Sequence, residues 1–244
     1  MKLIIAEDAQ QAALVVSSVI IDLVKQKPDA WIMLPSGPTP ILLYKALCEA
    51  YRCNEVDFKD THFMAVDEYI GLVDEQASVN HQLQNQFFKP CQIDTEHIIT
   101  YDPFADPSLQ ARNLNQMLDK LENGIDLIVT GIGQDGHIAY NKPNNQLYPH
   151  IHLDYLSEST RQGLALGFDD ITEVPNQILT IGIKDLLKAK HLVLMTVGIS
   201  KSTIVKQLLD AKTISSEFPA SIVLLRDKVT LVVDSQAASE CDPQ

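Results

Sequence analysis

An α/β fold on a single doubly wound, mostly parallel sheet with helices on both faces, Rossmann-like in layout, follows from three features of the sequence. Short apolar runs with little internal charge recur along the chain: Ala30–Leu34, His62–Val66, Ile125–Val129 and His191–Met195. Amphipathic stretches at helical spacing lie between them. Neither an internal repeat nor a low-complexity linker interrupts the alternation. Strands covered on both faces read as continuous apolar runs, and strand–helix alternation over a whole chain winds into such a sheet. The 244 residues suffice for a sizeable core, and one domain over residues 1–244 is expected.

The elements follow in order. Ala12, Ala13, Val15, Val16, Ile20 and Leu23 fall near a helical period. The run Ala30–Leu34 leads into Pro35-Ser36-Gly37-Pro38-Thr39-Pro40, then a helix carrying Leu43, Ala46 and Leu47, with proline near the first turn, where a missing N–H costs little. A glycine turn with two hydroxyls at a strand-to-helix junction offers N–H and O–H groups to a phosphate. An ordinary turn with Thr39 as helix cap explains the same residues. This turn has neither the GxGxxG nor the GxxxxGK[ST] pattern, so it supports neither a dinucleotide nor a nucleoside triphosphate.

After His62–Val66 comes Asp67-Glu68-Tyr69-Ile70-Gly71. Adjacent carboxylates at a strand end point in different directions, so one can face a crevice as a general base. A solvated turn or a helix-capping pair is the alternative. Leu114, Met117, Leu118 and Leu121 mark another helix, between Pro107-Ser108 and Asn123-Gly124. After Ile125–Thr130 the chain reads Gly131-Ile132-Gly133-Gln134-Asp135-Gly136-His137, then Ile138-Ala139-Tyr140-Asn141-Lys142-Pro143. A carboxylate beside a histidine holds one tautomer and favours the charged ring, which suits proton shuttling to a ring oxygen. A metal there would need ligands that the sequence does not identify, and none is expected. In sheets of this kind ligands sit beyond the carboxyl ends of the strands, where strand order reverses.

Composition narrows the partners. Nineteen Lys and Arg stand against 32 Asp and Glu, a formal net charge of -13, which argues against a nucleic-acid surface but leaves room for a locally positive small-molecule pocket. No run approaches the roughly 20 apolar residues that cross a bilayer, and the chain reaches Glu7 and Asp8 too soon for a secretory signal. A cytoplasmic protein without membrane contact is expected. Cys48, Cys53, Cys91 and Cys241 show no CxxC spacing and read as reduced thiols. His150 and His152 alternate as a metal pair on a strand would, but with no third ligand in view an exposed loop or strand is the plainer reading.

The glycine turn, the Asp67 segment and the Gly131–Pro143 segment stand in this order, with Leu179-Thr180-Ile181-Gly182-Ile183 and Pro219-Ala220-Ser221 behind them. Together they resemble the glucosamine-6-phosphate deaminase/isomerase family, whose superfamily includes the 6-phosphogluconolactonases. Asp67-Glu68-Tyr69 and Asn141-Lys142-Pro143 resemble the deaminase side, whereas the glycine-aspartate-glycine-histidine segment is common to both branches. The resemblance implies a cofactor-free enzyme of the hydrolase class that isomerises an amino sugar phosphate from aldose to ketose and releases ammonia. Glucosamine 6-phosphate and galactosamine 6-phosphate are the substrates implied, and a homo-oligomer is a further expectation. Residue by residue, it implies Asp67 as general base, His137 as the ring-opening group and Asp135 as its orienting carboxylate. Ser36, Gly37 and Thr39 would form the phosphate turn, with Lys201 of Gly198-Ile199-Ser200-Lys201 as a second phosphate contact.

This chain departs from the family pattern at two places. Lys142 stands where the family has a glutamate; an ammonium beside His137 would disfavour the charged ring, or would serve as counter-ion to Asp135. The family's lid arginine has no counterpart near Leu166, although Arg161 is present, and residues 144–176 are expected to form the lid. The altered lid points toward the galactosamine-6-phosphate isomerase branch. Two other functions stay open: lactone hydrolysis with His137 activating water, and sugar-phosphate binding without chemistry because of Lys142.

Overall fold

The computed structural model describes residues 1–144, 146–165, 170 and 173–241. The four apolar runs become strands close to where their composition places them, as β2 (Trp31–Leu34), β3 (His62–Ala65), β6 (Leu127–Thr130) and β9 (His191–Thr196), and three strands outside those runs join them: β1 (Lys2–Ala6), β5 (Ile98–Ile99) and β10 (Val229–Asp234). They form one seven-stranded sheet in the order β1-β10-β9-β6-β2-β3-β5, parallel at every pairing. β6 and β10 are buried at every residue, so layers cover both faces and the lack of polar alternation has its cause. Going along the chain, β2, β3 and β5 step outward one way from the centre, whereas β6, β9 and β10 step the other way. Strand order therefore reverses between β2 and β6.

Helices connect these strands. Asp8 caps α1 (Ala9–Gln26) by accepting from the Gln11 N–H, and the helix buries Ala12, Ala13, Val16, Ile20 and Val24. α2 (Ile41–Arg52) starts at Pro40 without a side-chain cap, so Thr39 is not the cap that its position suggests. α4 (Pro107–Asp119) begins with proline in its first turn, and Asp106 accepts from the Leu109 N–H. None of its residues is fully buried; Leu114, Met117 and Leu118 pack on the core from its margin. α7 (Ser202–Asp210) lies between β9 and β10. Cys48 and Cys91 are buried thiols with sulfurs 3.6 Å apart. No helix among the described residues is long and apolar enough to cross a membrane.

The apolar-run pattern does not anticipate a second sheet. β4 (Asp67–Ile70) follows β3 after one residue and pairs antiparallel with β8 (Gln177–Thr180), which pairs antiparallel with β7 (His152–Tyr155). The Asp67 segment is thus a strand, not a turn, and it is buried at all four residues. α3 (Val79–Leu83) follows β4, α5 (Glu158–Leu164) follows β7, and α6 (Ile183–Lys188) follows β8. At the start of α6 a Cβ on Gly182 would lie 2.4 Å from the His150 backbone, so this crossing accepts only glycine. Gly182→Ala should lower stability by about 1–3 kcal/mol through overpacking against rigid backbone, measured as a lower denaturant midpoint at unchanged slope.

Candidate active site

The loops after β2, β6 and β9 and the start of β4 converge on a cavity of about 800 Å³ at the carboxyl ends of the parallel strands, over the point where strand order reverses. Ser36, Gly37 and Thr39 line it from the β2 side, Asp67 from β4, Asp135 and His137 from the β6 loop, and Lys201 from the β9 loop. All seven predicted site residues share this one space. A second groove, of about 700 Å³, lies between the end of α1 and residues 51–60, at the amino ends of the strands. Acidic and basic side chains mix there, and it gathers none of the convergent groups of the first.

Asp67 and Glu68 divide as adjacent strand residues must. Glu68 turns away from the cavity and accepts 2.8 Å hydrogen bonds from the N–H groups of Tyr69, Val79 and Asn80. Two of those donors open α3, so the helix-capping reading of the pair holds for Glu68. Burial still pushes its carboxyl up to about 7, against the pull of the three N–H groups. Asp67 faces the cavity while only 6% exposed. Burial, with the charge of Glu68 behind it, pushes Asp67 up to about 7.

The β6 loop owes its shape to glycine. A Cβ on Gly133 would fall 2.1 Å from His137 Cε1, so the imidazole occupies the space that a side chain would fill. Gly136 has φ +88°, and Phe218 packs where its Cβ would be. The Ala220 N–H donates to the Gly136 carbonyl, so the Pro219-Ala220-Ser221 segment braces the loop from behind. His137 Nδ1 lies 2.6 Å from Asp135 Oδ1, which leaves Nε2 as the ring nitrogen for a substrate. Burial pushes the Asp135 carboxyl up, but the hydrogen bond and charge of His137 outweigh it and hold the group down to about 2.

The anion side is built differently from the simple picture of free amides. The Gly37 N–H donates to Gln82 Oε1, and Gln82 Nε2 donates to the Gly37 carbonyl. With φ +92°, Gly37 shapes the turn and its amide is already engaged, leaving the Ser36 and Thr39 side chains to face the cavity. Lys201 Nζ donates to the Ile132 carbonyl at 2.7 Å, which joins the β9 and β6 loops. Burial pushes this ammonium down, with Asp135 opposing.

Lys142 does not line the cavity. Its Nζ is 3.1 Å from Asp154 and bonds the Tyr155 carbonyl on β7. It is therefore a counter-ion to Asp154, not to Asp135, and the carboxylate touching His137 is Asp135. The cause lies one residue earlier: Asn141 is buried and donates to the Ile138 and Ile181 carbonyls, which turns the chain toward β7. Of the expected lid, Thr160 and Leu164 on α5 reach the cavity wall, whereas Arg161 pairs with Glu158. Residues 145, 166–169 and 171–172 of that segment, with Leu166 among them, lie outside the described residues. His150 pairs with Asp185 at 3.5 Å, and among the described residues no three His, Cys, Asp or Glu side chains cluster for a metal.

Sequence reasoning passed over Tyr69, Tyr140, Gln82 and Gly133. A period of two from Asp67 would have put Tyr69 on the same face. Nothing in the sequence connects Gln82 to a turn 45 residues earlier.

A doubly wound sheet with a carboxyl, a carboxylate-held imidazole and an ammonium gathered at its switch point defines an acid–base site for a small anionic molecule. The family model for glucosamine-6-phosphate isomerases and 6-phosphogluconolactonase matches residues 6–232, and the chain belongs to that family. It is 33% identical to a glucosamine-6-phosphate deaminase of Geobacillus sp. (strain WCH70), over 98% of this chain and 95% of the relative. It is 36% identical to the glucosamine-6-phosphate deaminase of Bacillus velezensis, over 91% and 92%. Among solved structures, one described as a monomeric glucosamine-6-phosphate deaminase superposes with a TM-score of 0.93 at 31% identity, covering 98% of this chain and all of the other. A 6-phosphogluconolactonase from Trypanosoma brucei, at 16% identity and a TM-score of 0.76 over 99% and 98% of the two chains, shares the fold.

Gly133→Ala should displace the imidazole and lower turnover by about 100-fold. A thermal midpoint close to wild type, measured beside the rate, would place the defect at the site.

Proposed function

We propose that this protein converts an amino sugar phosphate, in the first place glucosamine 6-phosphate, into a ketohexose 6-phosphate and ammonia. The observation that carries the reading is the buried, cavity-facing Asp67 opposite a carboxylate-held imidazole in one crevice with Lys201. Moving a proton between two carbons beside a carbonyl requires a base whose proton affinity suits neutral pH, and a carboxyl pushed up to about 7 has it.

The residues take these roles. Ser36, Thr39 and Lys201 hold the phosphate, with Gly37 keeping the turn in shape. His137, steadied by Asp135, moves a proton from the anomeric hydroxyl to the ring oxygen and opens the sugar. Asp67 then takes the proton from C2 and returns it to C1. The carbonyl oxygen at C1 ends as a hydroxyl, its proton matched by the one the amine releases as the C2–N bond becomes double. Water adds at C2 and ammonia leaves, so the net change is hydrolysis of a C–N bond. No redox step occurs. The placement of Lys142 against Asp154 supports chemistry over mere binding, because its ammonium is engaged away from the imidazole.

The test is an assay for ammonia and ketose phosphate with glucosamine 6-phosphate and, separately, galactosamine 6-phosphate. Release of both products from either substrate is expected; no turnover of either by folded protein sinks the proposal. Asp67→Asn should abolish both products. Hydrolysis of a 6-phosphosugar lactone that survives Asp67→Asn and is lost in His137→Ala would instead favour the lactonase reading.

Asp67 also fixes the pH behaviour. Its basic form is the reactive one, so kcat/KM should climb as pH rises through about 7. Stability should run the opposite way. The carboxyl is neutral in both folded and unfolded chains below its ordinary value, about 4. Stability present there is lost as pH rises through about 7, where the buried group ionises. Asp67→Asn should therefore melt above wild type at about pH 8 and close to it at about pH 4, in paired thermal scans.

A further inference from the structure

Lys201 is the cation that the proposed function sets against the phosphate, and it stands on a loop, not on the sheet. The chain leaves β9 at Thr196, turns at Gly198 with φ +91°, makes one helical turn over Ile199–Lys201 and enters α7 at Ser202. Nothing lies within 4 Å of where a Gly198 Cβ would be, so packing does not hold this turn. Hydrogen bonds hold it instead, and they come from one segment late in the chain. Asp234 ends β10, one residue beyond the pairing of Val233 with Thr196, and so lies beside the start of the loop. Both of its carboxylate oxygens lie 3.0 Å from the Gly198 nitrogen, and Oδ1 also accepts from the Ala237 N–H at 2.8 Å. Asp234 is 4% exposed, and no ion pair among the described residues includes it. A carboxylate kept from water without a cation is costly, so these two N–H groups carry the compensation. Further along, Glu240 Oε1 accepts from the Ser202 hydroxyl at 2.6 Å and the Thr203 hydroxyl at 2.9 Å. Lys201 therefore sits between two attachments, Gly198 before it and Ser202 with Thr203 after it, both made to Asp234–Glu240.

We propose that Asp234–Glu240 is a brace that fixes Lys201 in the cavity, and that Asp234 is a positioning residue for phosphate binding. The inference rests on the functional reading above, in which Lys201 holds the phosphate. Asp234 does not line the cavity, so it acts through the lysine. The Lys201 N–H donates to the Gly198 carbonyl at 3.0 Å, which ties the lysine to the pinned glycine. Its Nζ, 2.7 Å from the Ile132 carbonyl, is thereby held at the cavity wall. A long side chain on an unpacked turn would otherwise have to be ordered by the ligand, at a cost in affinity. The brace works by accepting hydrogen bonds, so an amide at position 234 should serve where a methyl group does not.

The test measures glucosamine 6-phosphate binding by calorimetry, with KM and kcat from the ketose phosphate assay beside it. Asp234→Ala should raise Kd and KM about 10-fold, with kcat within about twofold of wild type. Asp234→Asn, which keeps an acceptor for both N–H groups, should stay within about threefold. In a Lys201→Met background, Asp234→Ala should cost less than about twofold, because the carboxylate acts through the lysine. Should Asp234→Ala fail to fold, Glu240→Ala, at the exposed end of the brace, should still raise Kd about threefold. Unchanged binding in Asp234→Ala, or in Glu240→Ala where it stands in, overturns the inference. So does an equal loss in the two backgrounds, or an Asn variant no better than the Ala variant. Wild type that binds the sugar phosphate without releasing ammonia sinks the functional reading alone, and the Kd ratios still decide the brace. Wild type that binds no sugar phosphate sinks both.

Discussion

Two neighbouring carboxyl groups on one short strand meet opposite fates, and the site depends on that difference. Glu68 receives three backbone N–H groups and serves the architecture by closing the start of α3. The Asp67 carboxyl accepts no hydrogen bond from any of the described residues and faces the cavity while buried. A carboxylate without donors in a desolvated place is a poor anion and a good base. The hydrogen bonds to Glu68 thus hold the strand in place while the adjacent group stays unsatisfied. Reactivity at Asp67 is purchased with rigidity at Glu68.

The remaining groups are held with similar economy. The imidazole sits over a glycine, its Nδ1 on Asp135, and the loop beneath it is braced by Phe218 and Ala220. Lys201 both faces the cavity and bonds a carbonyl of that loop. Gln82 clasps both polar groups of the Gly37 peptide, so the turn's conformation is set before an anion arrives. Most of the wall is therefore formed in advance, which lowers the ordering cost of binding.

Much of this was legible in the residues. Apolar runs located four of the seven strands of the large sheet because both their faces are covered, and looking past three of them led to Ser36, Asp67 and His137, whereas Lys201 was reached only through the family resemblance. What stayed hidden came from contacts between distant segments. β7 and β8 lack the plain apolar look of the other strands: β7 carries His152 and Asp154 and is only half-buried. Asp67–Ile70 reads as polar at its start, so its strand character shows only once β8 is beside it. Lys142 misled for a related reason. Its neighbourhood in sequence contains His137, but Asn141 directs the chain elsewhere, and the charge is neutralised by Asp154.

The base and its opposite numbers belong to different sheets. Asp67 rides on the small antiparallel one, whereas the imidazole, the ammonium and the hydroxyl turn all hang from the ends of the large parallel one. A slide of one sheet against the other by about 1 Å would leave each internally intact yet carry the carboxyl out of range of its carbon atom. The seam between the sheets, where β3 passes into β4 through Val66 alone, thereby sets the spacing on which rate depends. Changes remote from the cavity that loosen this seam would register as lost turnover long before they registered as unfolding.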